Sequence, residues 1–154
     1  MILYHYSILN KLSAIQKSGK ILTSPKEPLE NETPLAWLSS NPDWENTANK
    51  MVLSRPSGFI ALNKEQTRLL GNGLIRFKFN TDTIKEKVCS WNEIVTNNFI
   101  PESMVNQLVI NGGVMGGNHE EWYGSVEPLD INQAQLQVYK PIENKWVDFH
   151  YEDS

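Results

Sequence analysis

Ile2-Leu3-Tyr4-His5-Tyr6-Ser7-Ile8-Leu9, followed by Leu12, Ile15 and Gly19, is the stretch on which the fold turns. Residues 2–6 are β-branched and aromatic and predict a strand. Ser7 stands where an N-cap would stand. Ile8, Leu12 and Ile15 then recur at helical spacing, and Gly19 stands where a left-handed residue ends a helix. Alternation along the strand turns His5 away from both flanking tyrosines. Taken alone, a histidine there reads as an edge residue beside packed aromatics.

Working outward, residues 24–34 carry three prolines and three glutamates and read as an exposed, mobile loop. Residues 35–39 read as a short strand. Asn41-Pro42 is a favoured N-cap and first-position pair, and Trp44, Ala48, Met51 and Val52 would share one helical face, ended by Pro56 and Gly58. Residues 58–62 read as a buried strand. Residues 74–79 alternate, with Ile75, Phe77 and Phe79 facing one way and Arg76 and Lys78 the other, after the Asn72-Gly73 turn. Ser90-Trp91-Asn92-Glu93 fits a capping box for a short helix through Asn97. Asn111-Gly112-Gly113-Val114-Met115-Gly116-Gly117-Asn118 reads as a flexible loop, and residues 120–127 as a strand after it. Residues 134–140 and 145–151 predict a hairpin joined through Pro141. The sum is a single α+β domain over residues 1–154, mostly strands with a few short helices.

Composition narrows the function. Fourteen Lys and Arg against eighteen Asp and Glu leave a net charge of −4, unsuited to a surface that clamps nucleic acid along its whole length. Cys89 is the only cysteine, so no intrachain disulfide and no thiolate-rich zinc site is expected. His5, His119 and His150 lack metalloprotease spacing, and no metal is expected. The N-terminus has no secretory pattern, and no window approaches the ~18 consecutive apolar residues of a membrane helix, so a cytoplasmic protein without a membrane partner is expected.

Several motifs have ordinary readings. The glycine run lacks the Lys-Ser/Thr of a phosphate loop. Cys89 has no neighbour in sequence to lower its pKa and reads as a packing residue. Glu120 and Glu121 would point to opposite faces of a strand, so at most one serves a site. Three segments stand out jointly: Tyr4-His5-Tyr6, Trp37-Leu38-Ser39-Ser40 and Glu121-Trp122-Tyr123.

In order, element type and several identities, these segments resemble the ADP-ribosyltransferase superfamily, in its His-Tyr-Glu class. Tyr4-His5-Tyr6 with the following helix and Gly19-Lys20-Ile21 is similar to the opening of toxins that ADP-ribosylate DNA and of small bacterial or phage members. Ala36-Trp37-Leu38-Ser39, then Trp44 to Asn49, resembles the second motif, and Glu121 the third. The match covers roughly residues 2–52 and 117–128 and leaves the middle unmatched. It implies a split β-sheet core and NAD as substrate, with no metal. His5 would hold the adenosine ribose and nicotinamide carboxamide, with Tyr6 and Ser39 beside it. Trp37 would stack on the nicotinamide in place of the family's tyrosine, and Thr47 would contact the carboxamide. Glu121 would bond the nicotinamide ribose, with Glu120 as the alternative one residue away. His119 stands where acceptor-specific relatives carry Gln or Glu, or Asn118 if Glu120 is the acid.

The implied chemistry is expulsion of nicotinamide through an oxocarbenium-like transition state, which a fixed carboxylate stabilises more than the ground state. The implied partners are NAD and a protein or nucleic-acid acceptor, with an antitoxin or other protein partner as a further expectation. Two alternatives stand beside it. One is a non-catalytic binding or inhibitor module that retains the fold. The other is an acid–base hydrolase, for which no second placed group is visible.

Overall fold

The computed structural model describes residues 1–56 and 58–149. It is a mixed α/β architecture built on one large antiparallel sheet. The strands are β1 (Ile2–Ile8), β2 (Lys20–Ile21), β3 (Ala36–Ser39), β4 (Met51–Ser54), β5 (Gly58–Ala61), β6 (Leu74–Asn80), β7 (Val88–Ser90), β8 (Trp122–Ser125), β9 (Leu129–Asp130), β10 (Ala134–Lys140) and β11 (Lys145–Asp148). The α-helices are α1 (Leu12–Ser18), α2 (Lys64–Leu70), α3 (Trp91–Thr96) and α4 (Glu102–Val114). Seven strands form the main sheet in the order β11-β10-β6-β1-β3-β8-β7.

The alternation expected for residues 74–79 holds. Ile75, Phe77 and Phe79 are essentially fully buried with Leu3, Leu38 and Leu136, and α1 covers this face with Leu12 and Ile15. Each such side chain contributes roughly 1.5–3 kcal/mol of burial. On the opposite face Tyr4, Tyr6, Ile8, Trp44 and Leu74 form a second cluster. Arg76 lies here too, its guanidinium 4.1 Å from the Tyr4 ring centre and 4.7 Å from that of Trp146. A third cluster gathers Leu35, Trp91, Ile94, Ile100 and Trp122 beneath α3 and α4, with Cys89 packed against it.

β1 pairs with β6 over the whole strand, from Ile2 opposite Asn80 to Ile8 opposite Leu74. With β3 it pairs at one position, Tyr4 opposite Ser39. Beyond that position the two strands part, and residues of both line a cleft there.

Other local expectations hold as well. Gly19 ends α1 at φ 71°, in the left-handed region that favours glycine. Ser90 caps α3 in a reciprocal box with Glu93. The hairpin of β10 and β11 is present through Asp148, while His150 and Tyr151 of the expected strand lie outside the described residues.

Several expectations are corrected. Ser7 is not a cap, because β1 runs on to Ile8 and a 3-10 turn over Leu9–Lys11 precedes α1. No α-helix follows Asn41-Pro42. Asn41 Oδ1 accepts from Asp43 N, the Glu45 carboxylate accepts from Thr47 N, and Trp44 Nε1 donates to Asn49 Oδ1. These local bonds compete with the helical ladder and leave only a 3-10 turn over Asn46–Ala48. Met51 and Val52 belong to β4, which pairs with β5 in a separate hairpin. That hairpin is exposed, with Phe59 69% accessible, so β5 is not the buried strand expected. The glycine run is not a loop throughout, since α4 extends through Val114 and takes in Gly112 and Gly113. Glu120 and Glu121 precede β8 in a 3-10 turn over His119–Glu121 and are not strand residues. No helix among the described residues is long and apolar enough to cross a membrane.

Candidate functional site

A cleft of about 790 Å³ opens where β1 and β3 diverge. Its walls come from β1, β3, the turn over Asn46–Ala48, α1 and α4. His5, Tyr6, Trp37, Ser39 and Thr47 all line it. Glu120 and Glu121 do not. Glu120 is exposed, whereas Glu121 is half-buried with Oε1 3.5 Å from Asn41 Nδ2. The Glu121 carbonyl accepts from Ser40 N at 2.9 Å, which ties the residue to the end of β3.

His5 bridges the split. Its Nδ1 lies 2.8 Å from the Trp37 carbonyl oxygen. A carbonyl only accepts, so Nδ1 carries the proton, and in the neutral ring Nε2 is left as an acceptor. Burial lowers the His5 pKa, the Trp37 carbonyl partly offsets this, and Lys11 and Lys50 lower it further. The imidazole is therefore neutral at pH 7.

Tyr6 is committed to structure. Its hydroxyl donates to the Asn41 carbonyl at 2.5 Å and receives Arg76 Nη1 at 3.3 Å. Burial raises its pKa despite the arginine. Its ring packs between Trp44 and Trp146, with ring centres 5.1 and 5.6 Å away, so Tyr6 braces the cleft wall as the protonated phenol. Trp37 sits beside Trp91 with ring centres 6.5 Å apart, and Trp91 meets Trp122 edge-to-face at 5.2 Å. All three line the cleft and give it an aromatic wall.

The carboxylate in the cleft is Glu45, which the sequence reading did not single out. It is 7% exposed. Ser39 Oγ donates to its Oε1 at 2.9 Å. Its Oε2 accepts from Thr47 Oγ1 at 2.6 Å, Thr47 N at 3.1 Å and Trp122 Nε1 at 3.3 Å. Ser39 and Thr47, expected as ligand contacts, thus spend their hydroxyl protons on Glu45. The donors lie six, two and seventy-seven residues away, so only the nearest could be foreseen from Glu45-Asn46-Thr47.

The glycines now have a role. A Cβ on Gly112 would sit 2.5 Å from the Trp122 ring, and one on Gly117 would sit 2.7 Å from Thr47 Cγ2. Both positions let the chain close over the Glu45 network. Gly117 N also donates to the Gly112 carbonyl at 2.7 Å. The helix tolerates its glycines because packing, not propensity, decides there.

Elsewhere, burial and the nearby Glu93 push the Cys89 thiol pKa up, away from nucleophile behaviour. No family model, no curated protein and no solved structure matches the chain.

Proposed function

We propose that the protein is an ADP-ribosyltransferase-like domain whose cleft holds NAD, transferring ADP-ribose to a protein or nucleic-acid acceptor or hydrolysing NAD, in its own cytoplasm or a host's. One observation carries the reading. His5 of the first segment and Trp37, Ser39 and Thr47 of the second line one cleft at a parting of the sheet. That parting is what a split-sheet core requires. The cleft volume lies within the range of small-molecule and cofactor sites. The acceptor Nε2 of a neutral His5 suits a ribose hydroxyl, and the indole of Trp37 suits the face of a nicotinamide ring.

Three carboxylates are candidates for the electrostatic role. The resemblance gives it to Glu121, with Glu120 as its alternative. Geometry favours Glu45, the one carboxylate in the cleft wall. Whichever holds it would stabilise positive charge developing on the ribose, and its loss should slow turnover by about 10²–10³-fold.

Free nicotinamide released from NAD is the readout, compared among Glu121→Ala, Glu120→Ala and Glu45→Gln. Loss in Glu121→Ala with release retained in the other two supports the resemblance. Loss in Glu45→Gln alone moves the role to that residue. An absence of release by the unaltered protein, or equal release in all four, contradicts the catalytic mechanism.

A second reading is a binding or inhibitor module that retains the fold without turnover and engages an antitoxin or other protein. It is favoured by Glu45, whose oxygens are already taken by four donors, and by Glu121, which contacts Asn41 and does not line the cleft. No nicotinamide release and no thermal shift at millimolar NAD would support it.

A further inference from the structure

The charged residues in the cleft wall are unbalanced. Lys11, Lys20, Lys26 and Lys50 line it with a single carboxylate, Glu45. Glu45 already accepts four hydrogen bonds from Ser39, Thr47 and Trp122. Among the described residues the ion pairs are Arg68 with Glu65 and Lys87 with Glu127, neither of them in the cleft. A protein with a net charge of −4 therefore keeps a local positive excess in this cleft.

Two of these lysines share the cleft wall with His5. Lys11 closes the 3-10 turn after β1, and Lys50 leads into β4. The Lys50 backbone is pinned on both sides, its N–H donating to Thr67 Oγ1 at 3.1 Å and its carbonyl accepting from Leu62 N at 2.8 Å. Its side chain is half-buried and lines the cleft together with Lys11 and His5, and both lysines lower the His5 pKa.

We propose that Lys11 and Lys50 form an anion seat beside His5 that takes the phosphate or diphosphate group of the cleft's ligand. The choice of a diphosphate rests on the NAD reading, whereas the seat itself rests on the two lysines. Cations drawn together without a counter-ion cost free energy, and a bound dianion removes that cost. Burial, and after it the neighbouring Lys11, lower the Lys50 pKa to about 8, so the group stays mostly charged at pH 7. The arrangement separates two tasks. The aromatic wall of Trp37, Trp91 and Trp122 receives a flat ring, and the lysines hold the charged linker.

The test is calorimetric titration of the full chain with inorganic pyrophosphate, and in parallel with NAD. The variants are Lys11→Gln, Lys50→Gln, Lys50→Arg, the Lys11→Gln/Lys50→Gln double variant, and Lys140→Gln as an exposed control on β10. Pyrophosphate should bind saturably at one site, about tenfold more weakly in each glutamine variant, since hydrogen bonds to charged groups carry about that much. Lys50→Arg and Lys140→Gln should bind like the unaltered protein. Lys11 is exposed, so Lys11→Gln keeps the test valid if Lys50→Gln fails to fold. The seat is overturned if pyrophosphate does not saturate at millimolar concentration, or if Lys11→Gln binds it unchanged. Pyrophosphate binding that depends on the lysines, without NAD binding, upholds the seat and removes the NAD reading. NAD binding that is equal in the unaltered protein and the double variant removes the seat and leaves the NAD reading standing.

Discussion

The His5 imidazole donates from Nδ1 to the Trp37 carbonyl at 2.8 Å, at the place where β1 and β3 stop pairing. A side chain here takes over a carbonyl that a continuous ladder would have satisfied from the backbone. The split in the sheet and the tautomer of the histidine are therefore one arrangement. His5→Ala would leave the Trp37 carbonyl without its partner and widen the opening. We expect a loss of about 1–3 kcal/mol, from the unmet acceptor and lost packing, measurable by urea denaturation.

The same residue sets a pH dependence. Burial, Lys11 and Lys50 hold the folded pKa of His5 below the 6.5 of an unfolded chain. As pH falls through 6.5, the unfolded chain takes up a proton that the folded one refuses. Stability is lost on acidification, by at most about 1.4 kcal/mol per pH unit for this one group. Chemical denaturation between pH 7 and pH 5 should show this slope, and His5→Gln should reduce it.

Lys50 acts in the alkaline range. Its folded pKa of about 8 lies below the ordinary 10.5, so between those values the unfolded chain holds more protons than the folded one. Stability from this group should rise as pH increases through that window. The titratable groups around it in the cleft are Tyr4, His5, Tyr6, Lys11, Lys20, Lys26 and Glu45. Substituting Lys50→Met should remove this alkaline gain, read as a flatter dependence of stability on pH above 8.

Glu45 is the buried charge on which the cleft wall is assembled. Glu45→Ala would strand donors from Ser39, Thr47 and Trp122 and should cost at least about 2 kcal/mol. Glu45→Gln should cost less. A glutamine oxygen can still accept from Thr47 and Trp122, and the Ser39 hydroxyl can turn to accept from the amide. Thermal unfolding of both variants should rank them in that order.

Gly112→Ala would push a methyl into the Trp122 ring, and Gly113→Ala, on the same helix, meets nothing within 4 Å. The first should destabilise by about 1–3 kcal/mol through overpacking. The second should be neutral or slightly stabilising, because alanine favours a helix. Melting temperatures of the pair distinguish a close-packing helical glycine from one with open space around it.

What could be read in the sequence follows the range of the forces. The alternation of β6, the Ser90 capping box and the left-handed Gly19 depend on neighbours a few residues away, and each is present. The stretch from Asn41 to Val52 misleads because its apolar spacing is helical while its side chains bond their own backbone. Gly112 looks like a loop residue until Trp122 is set against it. His5, Trp37, Ser39 and Thr47 stood out through a resemblance of motifs and do share a cleft. Glu45 did not stand out, because its burial depends on Trp122, far along the chain.

The account turns on whether NAD enters the cleft at the parting of β1 and β3. The chain has five tryptophans, and their indole N–H signals report this directly in a nitrogen-15 correlation spectrum. On adding NAD, the signals of Trp37, Trp91 and Trp122 should move together with one binding constant. That of Trp146, which lies outside the cleft and donates to the Asp43 carbonyl at 2.9 Å, should stay in place. No movement of the three cleft signals at millimolar NAD, or equal movement of all five, would contradict the account.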